Sequence, residues 1–199
     1  MQSTASATEI FLHIRVVMAI VLGMGITRLL TGVARFVAHP GKYRLYAVHL
    51  GWVGWMLLML IHFWWWEFRL QIIESWTFET YLFLIVYTIL LFMLCALLFP
   101  DDISEYSGYE EFFISRRRWF FGILACVFVF DMIDTLLKGR EHFAAFGGEY
   151  LVRVPAYVAL CIVAMITPNR RFHAAFVIGS LIYEISWILR LFETLEHGA

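Results

Sequence analysis

The sequence predicts an all-helical, polytopic membrane protein: a single integral membrane domain over residues 1–199, built as a bundle of six transmembrane helices. Three observations predict it. Of 199 residues, 62% are apolar and 18% aromatic. Only 16% are charged, against about 25% in soluble domains. The apolar residues fall in blocks of roughly twenty, the length a helix needs to cross about 30 Å of hydrocarbon. A membrane barrel is a poor match, because the blocks are uniformly apolar and longer than a barrel strand of about ten residues.

Reading the blocks between turn-forming or charged punctuation places helices near 9–37, 45–68, 78–99, 117–138, 149–167 and 171–194, broken at HPGK, FPDD, GREHFAAFGG and TPNR. The first block follows MQSTASATEIFLHIR, which has no basic n-region, and no small-residue cleavage site closes it; a retained helix is expected rather than a cleaved signal. Ser6 and Glu9 fit a capping box at its start. The second helix ends on HFWWWEF, residues 62–68, whose indoles suit a membrane–water interface. After the third helix, Tyr106, Tyr109, Phe112 and Phe113 recur at helical spacing opposite Glu105, Glu110 and Glu111. This pattern predicts an amphipathic interfacial helix near 104–115 and makes the 101–118 loop a candidate docking point for a cytoplasmic partner.

Charge orients the bundle. Loops after the first, third and fifth helices hold Arg35, Lys42, Arg44, Arg116, Arg117, Arg118, Arg170 and Arg171. The other side holds Arg15, Arg69, Lys138, Arg140, Arg153 and Arg190. The positive-inside rule then puts both termini outside, with a bacterial inner membrane as the expected location. A net charge of −1 supplies no field for nucleic acid, so the expected partners are membrane lipid and further copies of the chain. Cys95, Cys126 and Cys161 lie mid-helix without metal or redox spacing, and read as small core hydrophobes. No sequence feature calls for a cofactor or a metal.

The functional question is set by polar residues inside the blocks. Arg28, in GMGITRLLTG, shares a helix face with Gly25, Thr31 and Gly32, small residues that mark close helix packing, so it is expected to face the bundle. An inward arginine in hydrocarbon needs an acceptor. Glu184, in GSLIYEISWILR, is the acceptor expected at matching depth, on a face with Ser180 and Trp187. Asp131 and Asp134 share a face with Thr135 and Lys138, and Asp134 pairs naturally with Lys138 one turn on. His62, with His13 and His49, is a candidate proton-relay group.

A weak internal similarity adds to this. GITRLLTG aligns with MIDTLLKG, and IVYTILLFM with LIYEISWIL, which sets Tyr87 over Tyr183 and Thr88 over Glu184. A three-helix unit reverses direction on duplication, so a real repeat would be an inverted 3+3 arrangement with its site between the halves.

Two functional classes follow. The first is a small channel or secondary carrier for an ion or small solute, with a polar path through Arg28, Glu184, Asp131, Asp134, Tyr183, Tyr87 and His62. The second is a non-catalytic accessory membrane protein whose buried charge pairs only hold helices together. An intramembrane enzyme fits less well, since HExxH, GxSxG, P-loop and GxGxxG patterns are missing.

Overall fold

In a computed structural model the chain forms six long helices: α1 (Ala7–Ala38), α2 (Ala47–Trp66), α3 (Phe78–Leu98), α4 (Tyr109–Leu137), α5 (Gly147–Ile166) and α6 (Arg170–Glu196). A six-residue 3₁₀ segment, Glu67–Ile72, continues α2. The structure describes residues 7–39, 41–73, 75–139, 143 and 147–196, with side chains to 190. The expected Ser6 cap lies outside the described residues. All six helices are long and apolar enough to cross a membrane, and the chain is an integral membrane protein.

Its surface shows why. Leu12, Val16, Ile20, Met24, Ile61, Val86, Ile89, Met93, Ile133, Ile162, Ile178, Ile182 and Ile185 all stand exposed along the helix flanks. An apolar belt on that scale is tolerated in lipid and not in water. Charge, by contrast, is found inside.

Local chemistry sets the helix ends. Thr77 Oγ1 accepts the Thr80 N–H at 3.3 Å and opens α3. Asn169 Oδ1 accepts the N–H groups of Arg171 and Phe172 at 2.9 and 3.4 Å and opens α6 directly after Pro168. Inside α5, Pro155 removes one backbone donor.

α2 is the central helix. It packs against α1, α3, α4 and α6, while α1 lies mainly on α3, and α4 on α3 and α5. α5 and α6 are joined by three residues, yet they meet only sparsely and leave a groove open to the outside. Trp52 of α2 makes edge-to-face contacts with Trp55, Phe120, Phe121 and Phe176 at 5.2–5.5 Å. These rings pack together inside the bundle.

Two expectations change here. The residues expected near 104–115 do not form a separate helix. α4 starts at Tyr109 and runs unbroken to Leu137, so Phe112 and Phe113 belong to its first turns. Tyr109, Phe112 and Phe113 are buried, and Tyr109 meets Phe36, Tyr43 and His49 at 4.8–6.3 Å. Their helical spacing was a core face, and the aromatics dock on the chain's own helices. Gly108 makes this possible: a Cβ there would stand 2.8 Å from the Arg44 Cβ, and the next N–H bonds Arg44 O at 3.2 Å. The proposed repeat also finds no support in packing, because α1 lies mainly on α3 whereas α4 lies mainly on α5.

The small-residue face of α1 does pack closely. Gly25 is buried against Cys95, and a Cβ on Gly32 would stand 2.4 Å from the Phe99 ring. Gly32→Leu is therefore expected to separate α1 from α3 and to cost about 1–3 kcal/mol. Unfolding in mixed micelles measures it, with Gly23→Leu, at an open position, as the unaffected control.

Candidate functional site

Six antiparallel spans put both termini at one end of the bundle. Polar groups collect at that end and at the opposite, far end, and the two collections do different work.

At the far end they close helix termini. The Arg28 guanidinium donates to the Phe99 carbonyl at 2.9 Å and to Asp101 Oδ1 at 2.5 Å. The expected Arg28–Glu184 pair is therefore corrected. Arg28 is the twenty-second residue of α1, about 32 Å along it at 1.5 Å per residue. This depth is level with the last turn of α3, whose final carbonyls have no helical partner. His49 serves the same end, Nε2 lying 2.5 Å from Leu98 O, and His173 Nε2 lies 2.9 Å from Thr167 O, just past α5. A cation near a helix C-terminus satisfies carbonyls and meets the negative end of the dipole.

At the termini end lies a buried chamber. Lys138, the C-cap of α4, donates to Glu67 Oε1 at 2.8 Å and to Asp134 Oδ2 at 2.5 Å, and all three side chains are 2% exposed or less. Glu67 is delivered by the 3₁₀ segment, so this triad ties α2 to α4. One turn deeper, the Tyr150 hydroxyl donates to Asp131 Oδ2 at 2.9 Å and lies 2.9 Å from Thr135 Oγ1, which itself donates to the Asp131 carbonyl. Arg153 lies 3.9 Å from Asp131 and over the rings of Tyr150, Tyr183 and Trp187 at 5.1–5.7 Å. From α6, Glu184 faces His62 of α2, Oε1 to Nδ1 2.8 Å, with the carboxylate 2% exposed. Glu149 holds Arg190 with both oxygens at 2.7–2.8 Å and accepts from Tyr183 at 3.0 Å at the rim.

Between these groups is a cavity of about 30 Å³, lined by His62, Glu67, Asp131, Thr135, Tyr150, Arg153 and Trp187 among others. That volume fits roughly one water. Glu67 Oε2, Asp134 Oδ1, Arg153 Nε and the buried Tyr87 hydroxyl have no hydrogen-bond partner. Among the described residues, four carboxylates (Glu67, Asp131, Asp134 and Glu184) share the chamber with two fixed cations, Lys138 and Arg153. With every carboxylate ionised and His62 neutral, two negative charges are uncompensated. A low-dielectric interior does not hold such a surplus. No group of three or more His, Cys, Asp or Glu able to hold a metal occurs among the described residues.

The sequence-derived candidates are thus divided. Glu184, His62, Asp131 and Asp134 join one chamber, Tyr87 is buried with an unpaired hydroxyl, Tyr183 stands at the chamber's rim, and Arg28 belongs to the far end. Glu67, Tyr150 and Arg153 were missed. Glu67 was read as part of an aromatic belt and Arg153 only as one of the basic residues on the less basic side. A carboxylate enclosed by indoles in HFWWWEF, and an arginine one turn after a tyrosine in EYLVR, were the available signals.

Comparisons with protein-family models, with curated proteins and with solved structures give no match.

Two substitutions separate the two ends. Lys138→Met leaves Glu67 and Asp134 buried without their cation and is expected to cost about 3–5 kcal/mol, with recovery in the triple variant Lys138→Met, Glu67→Gln, Asp134→Asn. Arg28→Leu frees the α3 carbonyls and is expected to cost about 1–3 kcal/mol. Reversible unfolding in micelles reads both, and the triple variant should not rescue Arg28→Leu.

Proposed function

We propose that the protein is a small secondary carrier whose working step is proton uptake and release in the termini-end chamber. The observation that carries this reading is the charge surplus: four enclosed carboxylates against two fixed cations, beside a water-sized cavity. Ionisable groups inside a membrane are costly, and their common use is in proton and ion paths. His62 and Glu184 form the exchanging pair. Tyr150 and Thr135 extend the hydrogen bonds to Asp131, and Lys138 holds Glu67 and Asp134 in place. The aromatic packing around Trp52 occupies the interior of the bundle, which favours alternating access over an open channel. The excess of basic residues at the far end supports a reading in which the chamber faces the outer side of a bacterial inner membrane. Assembly of several copies is compatible with the apolar flanks.

One observation favours the second reading, an accessory protein stapled by ion pairs: the Glu67–Lys138–Asp134 triad is a complete cross-link between α2 and α4.

Flux decides between them. In proteoliposomes with an imposed potential, wild-type protein is expected to acidify or alkalinise the lumen above the rate of empty vesicles. Glu184→Gln, which keeps the shape and loses the proton site, is expected to slow this at least tenfold while its melting in micelles stays near wild type. Arg28→Lys should transport normally. Wild-type flux no greater than that of empty vesicles at every pH tested from 5 to 8 would favour the accessory reading.

A further inference from the structure

The groove between α5 and α6 runs from the chamber's rim, at Glu149, Arg153 and Tyr183, along the flank of the bundle. It has a volume of about 560 Å³, and Val152, Ala156, Leu160, Phe172, Phe176 and Gly179 are among its walls. It opens between flanks meant for lipid: Val152 is 69% exposed and Ile182 65%. Its room comes from small residues, since a Cβ on Gly179 would meet nothing within 4 Å. One end of the groove is polar. Arg153 borders both the groove and the chamber, its side chain is only 7% exposed, and its Nε–H has no acceptor. Tyr157 and Ser180 add hydroxyls to the lining.

We propose that this groove binds a neutral amphiphile from the bilayer, its apolar tail along α5 and α6 and a carbonyl oxygen accepting from Arg153. The charges select the head. A cationic head would meet the guanidinium. An anionic head would meet Asp131, already 3.9 Å from the same guanidinium, and the surplus carboxylates behind it. A neutral acceptor meets neither objection and would pair with the Arg153 guanidinium, whose nearest carboxylate stands 3.9 Å away. The tail needs only an apolar slot, which a lipid-facing groove supplies. This binding does not require that the protein transport anything.

The test uses the full chain in nanodiscs of zwitterionic lipid, with a decyl-tailed benzoquinone as the neutral carbonyl probe and decanoate at pH 8 as the anionic one. Trp187 stands over Arg153, so binding is read as saturable quenching of tryptophan fluorescence. Wild type should show saturation with the quinone. Gly179→Phe fills the groove without touching the chamber and should weaken it at least tenfold. Gly23→Phe, the same change at an open position on α1, should leave it unchanged. Arg153→Gln should weaken it several-fold. Non-saturable quenching, or equal saturation in the Gly179 and Gly23 variants, overturns the proposal; tighter binding of decanoate than of the quinone overturns the assignment of a neutral head.

Discussion

Lys138 is the residue on which the termini end depends. Its ammonium group stands between the buried carboxyl groups of Glu67 and Asp134, out of reach of water, and joins the segment after α2 to α4. The 3₁₀ segment after α2 exists in the place where it can deliver Glu67 to that cation, with Leu70 buried as its anchor. The geometry of the chamber follows from this contact, because α2 and α4 carry His62, Asp131 and Thr135 at fixed depths relative to it.

The same rule, that polar groups in hydrocarbon must be satisfied from within the chain, explains the far end by different means. There the polar groups needing partners are backbone carbonyls at the ends of α3 and α5. Arg28, His49 and His173 reach them from neighbouring helices. The Arg28 and His49 bonds are long-range and fix one helix against another, whereas His173 closes the short α5–α6 turn, so polar groups share the positional work that hydrophobic burial does in soluble proteins. Glycines at 25 and 32 let α1 come close enough to α3 for Arg28 to reach.

The two ends nevertheless differ in balance. At the far end Arg28, His49 and His173 each meet a backbone carbonyl, although His49 Nδ1, His173 Nδ1 and Arg117 Nε remain unpaired. At the termini end the carboxylates outnumber the cations, several polar atoms remain unpaired, and a water-sized space lies among them. A purely structural staple has no use for that surplus, since apolar replacements would hold helices together at least as well. Arg153 connects this unbalanced chamber to the lipid-facing groove, so the part of the molecule with open valences is also the part with access to the bilayer.

Much of this was legible in one dimension. Block length and apolar content determined the six spans, because the thickness of hydrocarbon imposes a helix length that any spanning sequence must show. The Asp134–Lys138 pair was equally readable, being set by the pitch of a single helix. What only the tertiary structure decided was every pairing between helices. Arg28 and Glu184 are both charged groups on apolar helices, and depth alone allowed them to meet; helix order around α2 sent one to the α3 terminus and the other to His62. The 104–115 aromatics show the same limit, since a helical apolar face looks alike whether it meets lipid or Tyr43 and Phe36. Periodicity records that a face is apolar, and the neighbour that covers it is chosen by the packing of the other helices.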